Sequence, residues 1–305
     1  DYGILEVGMD KKGEINNLSK IIMPDVSVIT NINYAHAKNF KSINHIALAK
    51  AEIIENTKLN GYVVLNADDF FYNFHRKIAL RNKLSVISFG IKNQKSDIKL
   101  TNIKKSGTNY KMSVKIHNSK TFFLISSNFQ SNILNFLAGL AVMSIYFDIL
   151  KLSKKIFLNF KIPEGRGDLS RIKINKKMIN LIDESYNSNP LSLKSAISNF
   201  DKINTRKSKK FLLMGDMLEL GKLSKKLHQS FVPIINQSKI NKVFVKGKQA
   251  TSIFKSLSSS KQGGIVRNKS QIIKMIKNDI GNNDFLMVKA SNATGFNNII
   301  RELKG

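Results

Sequence analysis

The first part of the chain alternates apolar and polar segments in the manner of a parallel α/β sheet. Residues 3–9, GILEVGM, are typical of a buried strand, and residues 26–32, VSVITNI, are typical of a second, rich in β-branched side chains. Between them, GEINNLSKII spaces its apolar residues like a helix, which the pair Met23–Pro24 ends. This order predicts a β-α-β unit.

The same reasoning extends along the following residues. The patterns predict, in chain order, a helix, a strand, an amphipathic helix, a strand, antiparallel strands and a long buried helix: residues 42–54, 61–69, 70–82, 83–90, 97–127 and 127–149. We expect His75 on the surface of the amphipathic helix. The small residues Ala138, Gly139 and Ala141 in the last helix predict close packing against the sheet.

A turn divides the chain into two predicted domains. Pro163 and the two glycines of the string PEGRG mark it, so we place the boundary there and predict domains at 1–163 and 164–305. The second part repeats the α/β pattern, with a hairpin in 171–190 and later apolar strands that alternate with helices. The fold class is therefore α/β in both domains.

Composition changes this picture little. Lys and Arg number 50 against 21 Asp and Glu, a formal net charge of +29. The lysines are spread along the chain without an arginine-rich block, and Asn and Ile are also abundant, so a compositional bias explains the charge better than a nucleic-acid partner does. There is no cysteine, and no segment approaches the roughly 20 apolar residues of a membrane span. We expect a cytoplasmic protein.

Three polar residues in the first part could serve a cation. Glu6 and His36 follow predicted strands, and Lys50 lies on a helix. The carboxyl ends of parallel strands meet at one edge of a sheet, where ligands bind. Each residue alone has an ordinary explanation, as a solvated acid, a loop histidine or a surface lysine. Asp68 and Asp69 after the third strand are best explained as turn or cap residues.

The strings around these residues resemble the central domain of the Mur ligase family. They are E-V-G-M, G-E-I, I-T-N-I with A-H, I-A-L-A-K-A-E-I-I and G-Y-V-V-L-N-A-D-D. The resemblance implies that Glu6, His36 and Lys50 bind Mg²⁺, with Lys50 carbamylated by CO₂ and, with His36, catalytic. An N-x-x-N pattern formed by Asn132 and Asn135 implies that Asn135 contacts the adenine of ATP, whereas helix capping explains Asn132 better.

The second domain carries further strings of the same family. Arg166 matches the arginine of P-x-G-R, and residues 183–190, DESYNSNP, match D-D-S-Y-N-A-N-P, with Glu and Ser as departures. The resemblance implies that ATP is held by Arg166, Asp183, Tyr186 and Asn187 and that the substrate is faced by Asn189 and Asp216. His228 matches a family histidine for which we favour a structural or substrate-orienting role. Ala290 replaces a family glycine, which weakens any assignment to Lys289 and Ser291.

The resemblance implies a fold and an activity. The fold is an incomplete central parallel-sheet ATPase-like domain followed by a smaller Rossmann-like α/β domain. The activity is ATP-dependent ligation, through an acyl phosphate, of D-alanyl-D-alanine to UDP-N-acetylmuramoyl-tripeptide in peptidoglycan synthesis, by a monomer. No glycine-rich loop ending in G-K-S or G-K-T occurs in the 305 residues. We therefore expect a chain that lacks its beginning and is inactive, or nearly so, by itself.

Two alternatives stay open on the sequence alone. The charge and the missing phosphate loop would also suit a basic protein that binds nucleotides or nucleic acid without catalysis. A different member of the Mur ligase family is the nearer rival. The strings DESYNSNP and GDMLELG favour the D-alanyl-D-alanine-adding member.

Overall fold

A computed structural model describes residues 1–34, 37–204 and 207–304. The chain divides into two compact units, which we call unit 1 (Asp1–Phe160) and unit 2 (Lys161–Gly305). None of the helices in the described ranges is long and apolar enough to cross a membrane.

Unit 1 is built on one mixed sheet. Its helices are α1 (Glu14–Ile22), α2 (Ile43–Glu55), α3 (Tyr72–Arg81) and α4 (Gln130–Tyr146). Its strands are β1 (Val26–Ile29), β2 (Tyr62–Asn66), β3 (Ser85–Gly90), β4 (Ile98–Ser106), β5 (Asn109–Ile116) and β6 (Ser119–Ile125). The strands lie in sequence order; β1 to β4 are parallel neighbours, and β4 to β6 form an antiparallel meander.

The sequence pattern explains which strands are buried on both faces. In β2, four of the five residues of YVVLN are buried, as expected for a parallel strand covered on both sides. In β5, Met112, Val114 and Ile116 are buried and alternate with more exposed residues, because one face of the meander packs on α4. The predicted meander and long helix are confirmed.

The first predicted strand is wrong. Residues 1–9 form neither helix nor strand, and Ile4 and Leu5 are 95% and 65% exposed. An apolar run supplies side chains to bury, but a strand also needs a neighbouring edge for its backbone groups. Within the described residues, the 1–9 segment pairs with no strand, and β1 lies at the edge of the sheet. The observed β-α-β units are instead β1-α2-β2 and β2-α3-β3.

Two smaller expectations in unit 1 are also wrong, one for His75 and one for Gly139. His75 is 2% exposed rather than on the surface, and its Nε2 lies 3.0 Å from the carbonyl oxygen of Ala47. His75 is buried because α2, which carries Ala47, packs against α3. Of the small residues in α4, Ala138 and Ala141 are buried in the core with residues of the sheet, as predicted. Gly139 makes no close packing contact, since a Cβ added there would have no heavy atom of the described residues within 4 Å.

Unit 2 is built on a second sheet whose strand order is β11-β10-β9-β12-β8-β7. Its strands are β7 (Asp168–Ile174), β8 (Lys177–Glu184), β9 (Lys210–Gly215), β10 (Lys242–Lys246), β11 (Gln262–Ile265) and β12 (Phe285–Lys289). Its helices are α5 (Pro190–Lys202), α6 (Ser224–Gln229), α7 (Phe231–Gln237), α8 (Lys248–Ser256), α9 (Lys269–Asp279) and α10 (Phe296–Lys304). All pairs are parallel except the hairpin β7–β8, and the predicted α/β class is confirmed.

Candidate functional site

The ends of β1 and β2 form a polar edge in unit 1. The Asn66 side-chain amide donates to the Thr30 carbonyl over 3.0 Å, and Asp69 Oδ2 accepts from the Ile32 N–H over 2.8 Å. These bonds hold the segment after β1 against the turn after β2. The arrangement places backbone carbonyls and one carboxylate at the carboxyl edge of the parallel sheet, where such sheets bind ligands.

Lys50 reaches this edge from α2. Its Nζ lies 3.3 Å from the carbonyl oxygen of Asn31, and the side chain is half-buried. Burial lowers the pKa of Lys50, and the nearby Asp69 carboxylate opposes that shift. The amine is therefore more easily neutral than that of a surface lysine, and the neutral amine is the form that can add CO₂.

The described part of the structure does not show the three predicted magnesium ligands together. Glu6 is exposed on a segment that forms no strand, and His36 lies outside the described ranges. Within those ranges, no group of three His, Cys, Asp or Glu side chains could hold a metal ion. Of the three predicted ligands, the structure places only Lys50 at the edge of the sheet, so the described residues do not by themselves fit a magnesium site.

The two acids after β2 stabilise turns, as the sequence suggested. The Asp68 carboxylate accepts from the N–H groups of Ile91 and Asn93 over 2.6 and 2.7 Å. Asp69 Oδ1 accepts from the Phe71 N–H over 2.8 Å, one residue before α3. The two carboxylates therefore stabilise the loops that follow β2 and β3, and Asp69 also holds the segment after β1.

The two asparagines at the start of α4 have different surroundings, and the N-terminal cap of the helix is Phe129, without a side-chain capping bond. Asn132 is buried, and its Nδ2 donates to Ser127 Oγ over 2.9 Å. Asn135 lies one turn further along and is exposed. Its side chain is thus accessible to a ligand. The capping role expected for Asn132 is wrong, because its side chain binds Ser127 in the loop before α4 instead of a backbone N–H of the helix.

In unit 2 the string DESYNSNP forms the turn between β8 and α5. Asp183 is 4% exposed; its Oδ1 accepts from the N–H and the hydroxyl of Ser185, and its Oδ2 lies 3.1 Å from Lys304 Nζ. Asn189 caps α5, with its side chain accepting from the Ser192 N–H over 2.9 Å. Both side chains therefore stabilise the turn, and Tyr186 between them remains 49% exposed.

The glycine turn of PEGRG packs directly on this string. The Tyr186 N–H donates to the Gly165 carbonyl over 3.1 Å, and the Gly167 N–H donates to the Asp183 carbonyl over 2.7 Å. Gly165 has φ +74°, and a Cβ there would lie 2.8 Å from Tyr186 N, so a side chain would collide. The Arg166 guanidinium lies 4.2 Å from the centre of the Tyr186 ring. The guanidinium N–H donors of Arg166 and the aromatic ring of Tyr186 thus lie side by side on exposed residues.

The loop after β9 is held by two side chains. Asp216 Oδ1 accepts from the Ala250 N–H over 2.7 Å at the start of α8, so one of its oxygens is used within the fold. His228 is fully buried, and burial lowers its pKa. Its Nε2 accepts from the Met217 N–H over 2.9 Å, which supports the structural role that the sequence favoured over acid–base catalysis.

Sequence reasoning missed the part that Lys289 plays. It ends β12, is 2% exposed, and contacts both Glu184 and the Asn187 carbonyl. The sequence contained a signal for this role: Lys289 is the last residue of the apolar strand FLMVK, and lysine is rarely found in such a strand unless its charge is paired.

Family models agree with this architecture. The Mur ligase middle domain matches residues 1–143, and the Mur ligase glutamate ligase domain matches residues 170–292. The chain belongs to the Mur ligase family. The membership confirms the resemblance inferred from short strings of residues.

Individual Mur ligases align with nearly the whole chain. UDP-N-acetylmuramoyl-tripeptide–D-alanyl-D-alanine ligase of Buchnera aphidicola subsp. Acyrthosiphon pisum is 33% identical over 310 residues, 99% of this chain and 65% of the relative. The enzyme of the same name from Rickettsia prowazekii is 28% identical over 306 residues, 98% of this chain and 66% of the relative. The chain thus spans about two thirds of the length of these relatives.

Solved structures support the fold. MurF from Acinetobacter baumannii superposes with a TM-score of 0.83 at 22% identity, covering 98% of this chain and 64% of that one. MurF from Thermotoga maritima, solved in complex with ADP, gives 0.83 at 24% identity, covering 98% and 66%. The Mur ligase fold of two successive α/β units is therefore shared.

Proposed function

We propose that this chain supplies the ATP-handling and C-terminal parts of a ligase that adds D-alanyl-D-alanine to UDP-N-acetylmuramoyl-tripeptide. The observation that carries the proposal is the turn after β8, where Arg166 stacks on the exposed Tyr186 at the carboxyl edge of the sheet. Relatives named for that reaction align with nearly the whole chain at 28% to 33% identity, and they support the choice of substrates.

In the proposed reaction, the γ-phosphoryl group of ATP passes to the terminal carboxylate of the tripeptide. The amine of D-alanyl-D-alanine then attacks the acyl phosphate carbon, the new C–N bond forms, and inorganic phosphate leaves. Binding and orientation are the contributions that this chain's residues make. Arg166 is suited to phosphate oxygens because its planar fork offers several N–H donors.

We assign the remaining nucleotide contacts by exposure. Asn135, Tyr186 and Asn187 are exposed and are proposed to touch the nucleotide. Asp183 and Asn189 are proposed to act by fixing the turn, because their carboxylate and amide oxygens are already hydrogen-bonded within it. Asp216 keeps one oxygen that Ala250 does not use and is proposed to face the peptide substrate.

Lys50 is proposed to carry a carbamate. Its Nζ lies at the carboxyl edge of the unit 1 sheet, 3.3 Å from the Asn31 carbonyl, where a carbamate would add two oxygens. Such oxygens are the ligands that Mg²⁺ prefers, whereas an ammonium is not a ligand. A carbon-13 carbamate resonance in protein equilibrated with labelled CO₂, absent from Lys50→Ala, would test this assignment.

The proposed function is tested in a chimera. The part of the Buchnera relative that lies outside the match is joined to these 305 residues, and ligation is assayed with ATP and both substrates. We expect UDP-N-acetylmuramoyl-pentapeptide and phosphate, and loss of product in Lys50→Ala. Lys58→Ala is the matched control, since Lys58 pairs with Asp25 on the surface. The absence of product, or a preference for another amine, would overturn the proposal.

The same assay on the 305-residue chain alone tests the expectation that it is inactive by itself. The alternative of a nucleic-acid-binding protein is not favoured, because several lysines are occupied within the fold. Lys210, Lys261 and Lys177 each donate to backbone carbonyls at the ends of helices or strands. Binding to random DNA that weakened steeply with salt would support the alternative instead.

A further inference from the structure

The Lys289 side chain joins the end of β12 to the turn after β8. Its Nζ donates to the Asn187 carbonyl over 2.6 Å and lies 3.2 Å from Glu184 Oε2 and 3.4 Å from the Glu184 carbonyl. An ammonium has three N–H groups, so these acceptors account for all of them. Lys289 is therefore fully engaged with the turn, and its donors are not directed at solvent.

A lysine in this position is not explained by stability alone. Its side chain is 2% exposed and that of Glu184 is 17% exposed. Desolvating an ion pair offsets much of its attraction, and apolar replacements of buried pairs are often neutral or stabilising. Burial lowers the pKa of Lys289 and raises that of Glu184, while their mutual attraction opposes both shifts. What the pair does supply is a defined geometry for the backbone that it contacts.

Ser291 contacts the next residue of the turn, Ser188. Its hydroxyl donates to the Ser188 carbonyl over 3.2 Å and accepts from the Leu218 N–H over 3.0 Å. Lys289 and Ser291 thus hold two successive carbonyls, those of Asn187 and Ser188, and Ser291 also holds the loop after β9. The backbone of the turn is therefore fixed by buried side chains, while the side chain of Tyr186 remains exposed.

We propose that Lys289 is a positioning residue, which presents Tyr186 and Asn187 to the nucleotide by holding the Asn187 carbonyl and the Glu184 carboxylate. It acts through these two residues and not by touching ATP. The consequence for ATP binding rests on the proposed function, whereas the positioning itself is a property of this chain. The two parts can therefore be tested separately.

The positioning is tested by hydrogen–deuterium exchange on the full chain. In Lys289→Met, and in Lys289→Met with Glu184→Gln, we expect exchange of residues 185–189 to quicken about tenfold, as the loss of a charged hydrogen bond implies. The double variant leaves no unpaired buried charge, so it keeps the test valid if the single variant folds poorly. Exchange in β9 reports the stability of unit 2 as a whole, so the increase at 185–189 should exceed any increase in β9.

The matched control is Lys210→Met. Lys210 is 3% exposed and donates to the carbonyls of Phe200 and Asp201, so it is also a buried lysine that binds backbone in unit 2. We expect this control to lower stability without quickening exchange in the turn. Unchanged exchange at 185–189 in the Lys289 variants, or an equal increase in Lys210→Met, would overturn the positioning.

The consequence for the nucleotide is read in the ligase chimera. Positioning predicts that Lys289→Met raises the KM for ATP about tenfold while kcat changes much less, because ground-state binding is weakened. Equal KM values in wild type and variant would overturn this part. If the wild-type chimera forms no product, the proposed function fails, and the exchange measurement still decides whether Lys289 positions the turn.

Discussion

The Nε2 atom of His228 accepts a hydrogen bond of 2.9 Å from the backbone N–H of Met217. On the other side of the ring, Nδ1 lies 2.8 Å from the Ser224 carbonyl oxygen and donates to it. The imidazole is therefore neutral, with its proton on Nδ1. Protonation of Nε2 would place a second donor against the Met217 N–H and free the loop after β9.

This arrangement predicts that unit 2 loses stability in mild acid. Burial lowers the pKa of His228 below 6.5, so the unfolded state binds the proton more readily than the folded state. The stability that the neutral imidazole contributes is fully present above the pKa of His228 in the unfolded chain. It is lost as the pH falls through the pKa of His228 in the folded chain, and the free energy of unfolding then changes by at most about 1.4 kcal/mol per pH unit. Exchange of β9 amides, measured between about pH 5 and 7.5, should show this slope, and His228→Gln should reduce it.

His75 provides the comparison in unit 1. Burial lowers its pKa as well, and its Nε2 lies against the Ala47 carbonyl. We expect His75→Gln to reduce the acid slope of β2 amides and to leave that of β9 amides unchanged. A slope in β9 that persists in His228→Gln would contradict the prediction for unit 2.

The stacking of Arg166 on Tyr186 predicts a functional effect larger than its effect on stability. An exposed cation–π pair contributes about 0.5–1 kcal/mol, so Arg166→Gln should lower the free energy of unfolding by no more than that. If the pair binds ATP, the same variant should raise the KM for ATP in the chimera by tenfold or more, a change of about 1.4 kcal/mol.

Lys111 on Phe122 is a matched pair in unit 1, with 4.1 Å between the ammonium and the ring centre. We expect Lys111→Gln to change stability by a similar small amount and to leave the KM for ATP unaltered. Similar KM values for the two variants would remove Arg166 from the proposed nucleotide site.

Gly247 is predicted to be intolerant of a side chain because of Asp216. It has φ +123°, and a Cβ there would lie 2.4 Å from Asp216 Oδ1. Gly247→Ala must displace that carboxylate from the Ala250 N–H, at a cost of about 2 kcal/mol or more from strain and a lost charge-assisted bond. Gly295→Ala separates the two causes, since Gly295 has φ +77° with open space around it. Urea unfolding should show the larger loss at Gly247; equal losses would assign the effect to backbone strain alone.

How far the sequence predicts the structure depends on where the decisive contacts lie. The segment around Lys50 and the strand of β2 are defined by local periodicity, and the structure has them where the pattern put them. The turn formed by DESYNSNP also depends on local contacts, because Asn189 and Ser192 cap the helix that follows it. Elements that are defined by contacts between nearby residues can be predicted from the sequence, because no distant partner is needed to form them.

The failures arise where a distant partner decides the outcome. Residues 1–9 have the composition of a strand, yet pairing depends on a neighbour, and periodicity carries no information about one. His75 was placed by the helical pattern of α3, which does not reveal that α2 covers it. Lys289 binds residues about a hundred positions earlier in the chain, a separation that no local pattern records.

Gly139 is predicted to be replaceable with a gain in stability. It lies inside α4, and a Cβ there would meet no heavy atom of the described residues within 4 Å. Alanine restricts the unfolded chain and favours helix, so Gly139→Ala should raise the free energy of unfolding of unit 1 by about 0.5–1 kcal/mol. Urea unfolding measures the change, and a loss of stability would show that small size at this position serves packing after all.

Ser188 is predicted to stabilise unit 2 when it is replaced by alanine. The side chain is 2% exposed, and its Oγ has no hydrogen-bond partner among the described residues. The backbone of Ser188 is satisfied independently, by Asn187 Oδ1 and by the Ser291 hydroxyl, so the substitution removes only the buried hydroxyl. Relief of its desolvation should raise the free energy of unfolding by about 1 kcal/mol.

Ser185→Ala is the control with the opposite sign, because Ser185 is equally buried and its hydroxyl donates to Asp183 Oδ1 over 2.6 Å. Its loss should cost about 1–2 kcal/mol, since the Asp183 carboxylate then loses one of its charge-assisted bonds. Both variants are compared by urea unfolding. Destabilisation by Ser188→Ala would mean that the hydroxyl is bonded in solution. Because Tyr186 and Asn187 keep their backbone contacts in Ser188→Ala, the KM for ATP in the chimera should stay the same while stability rises.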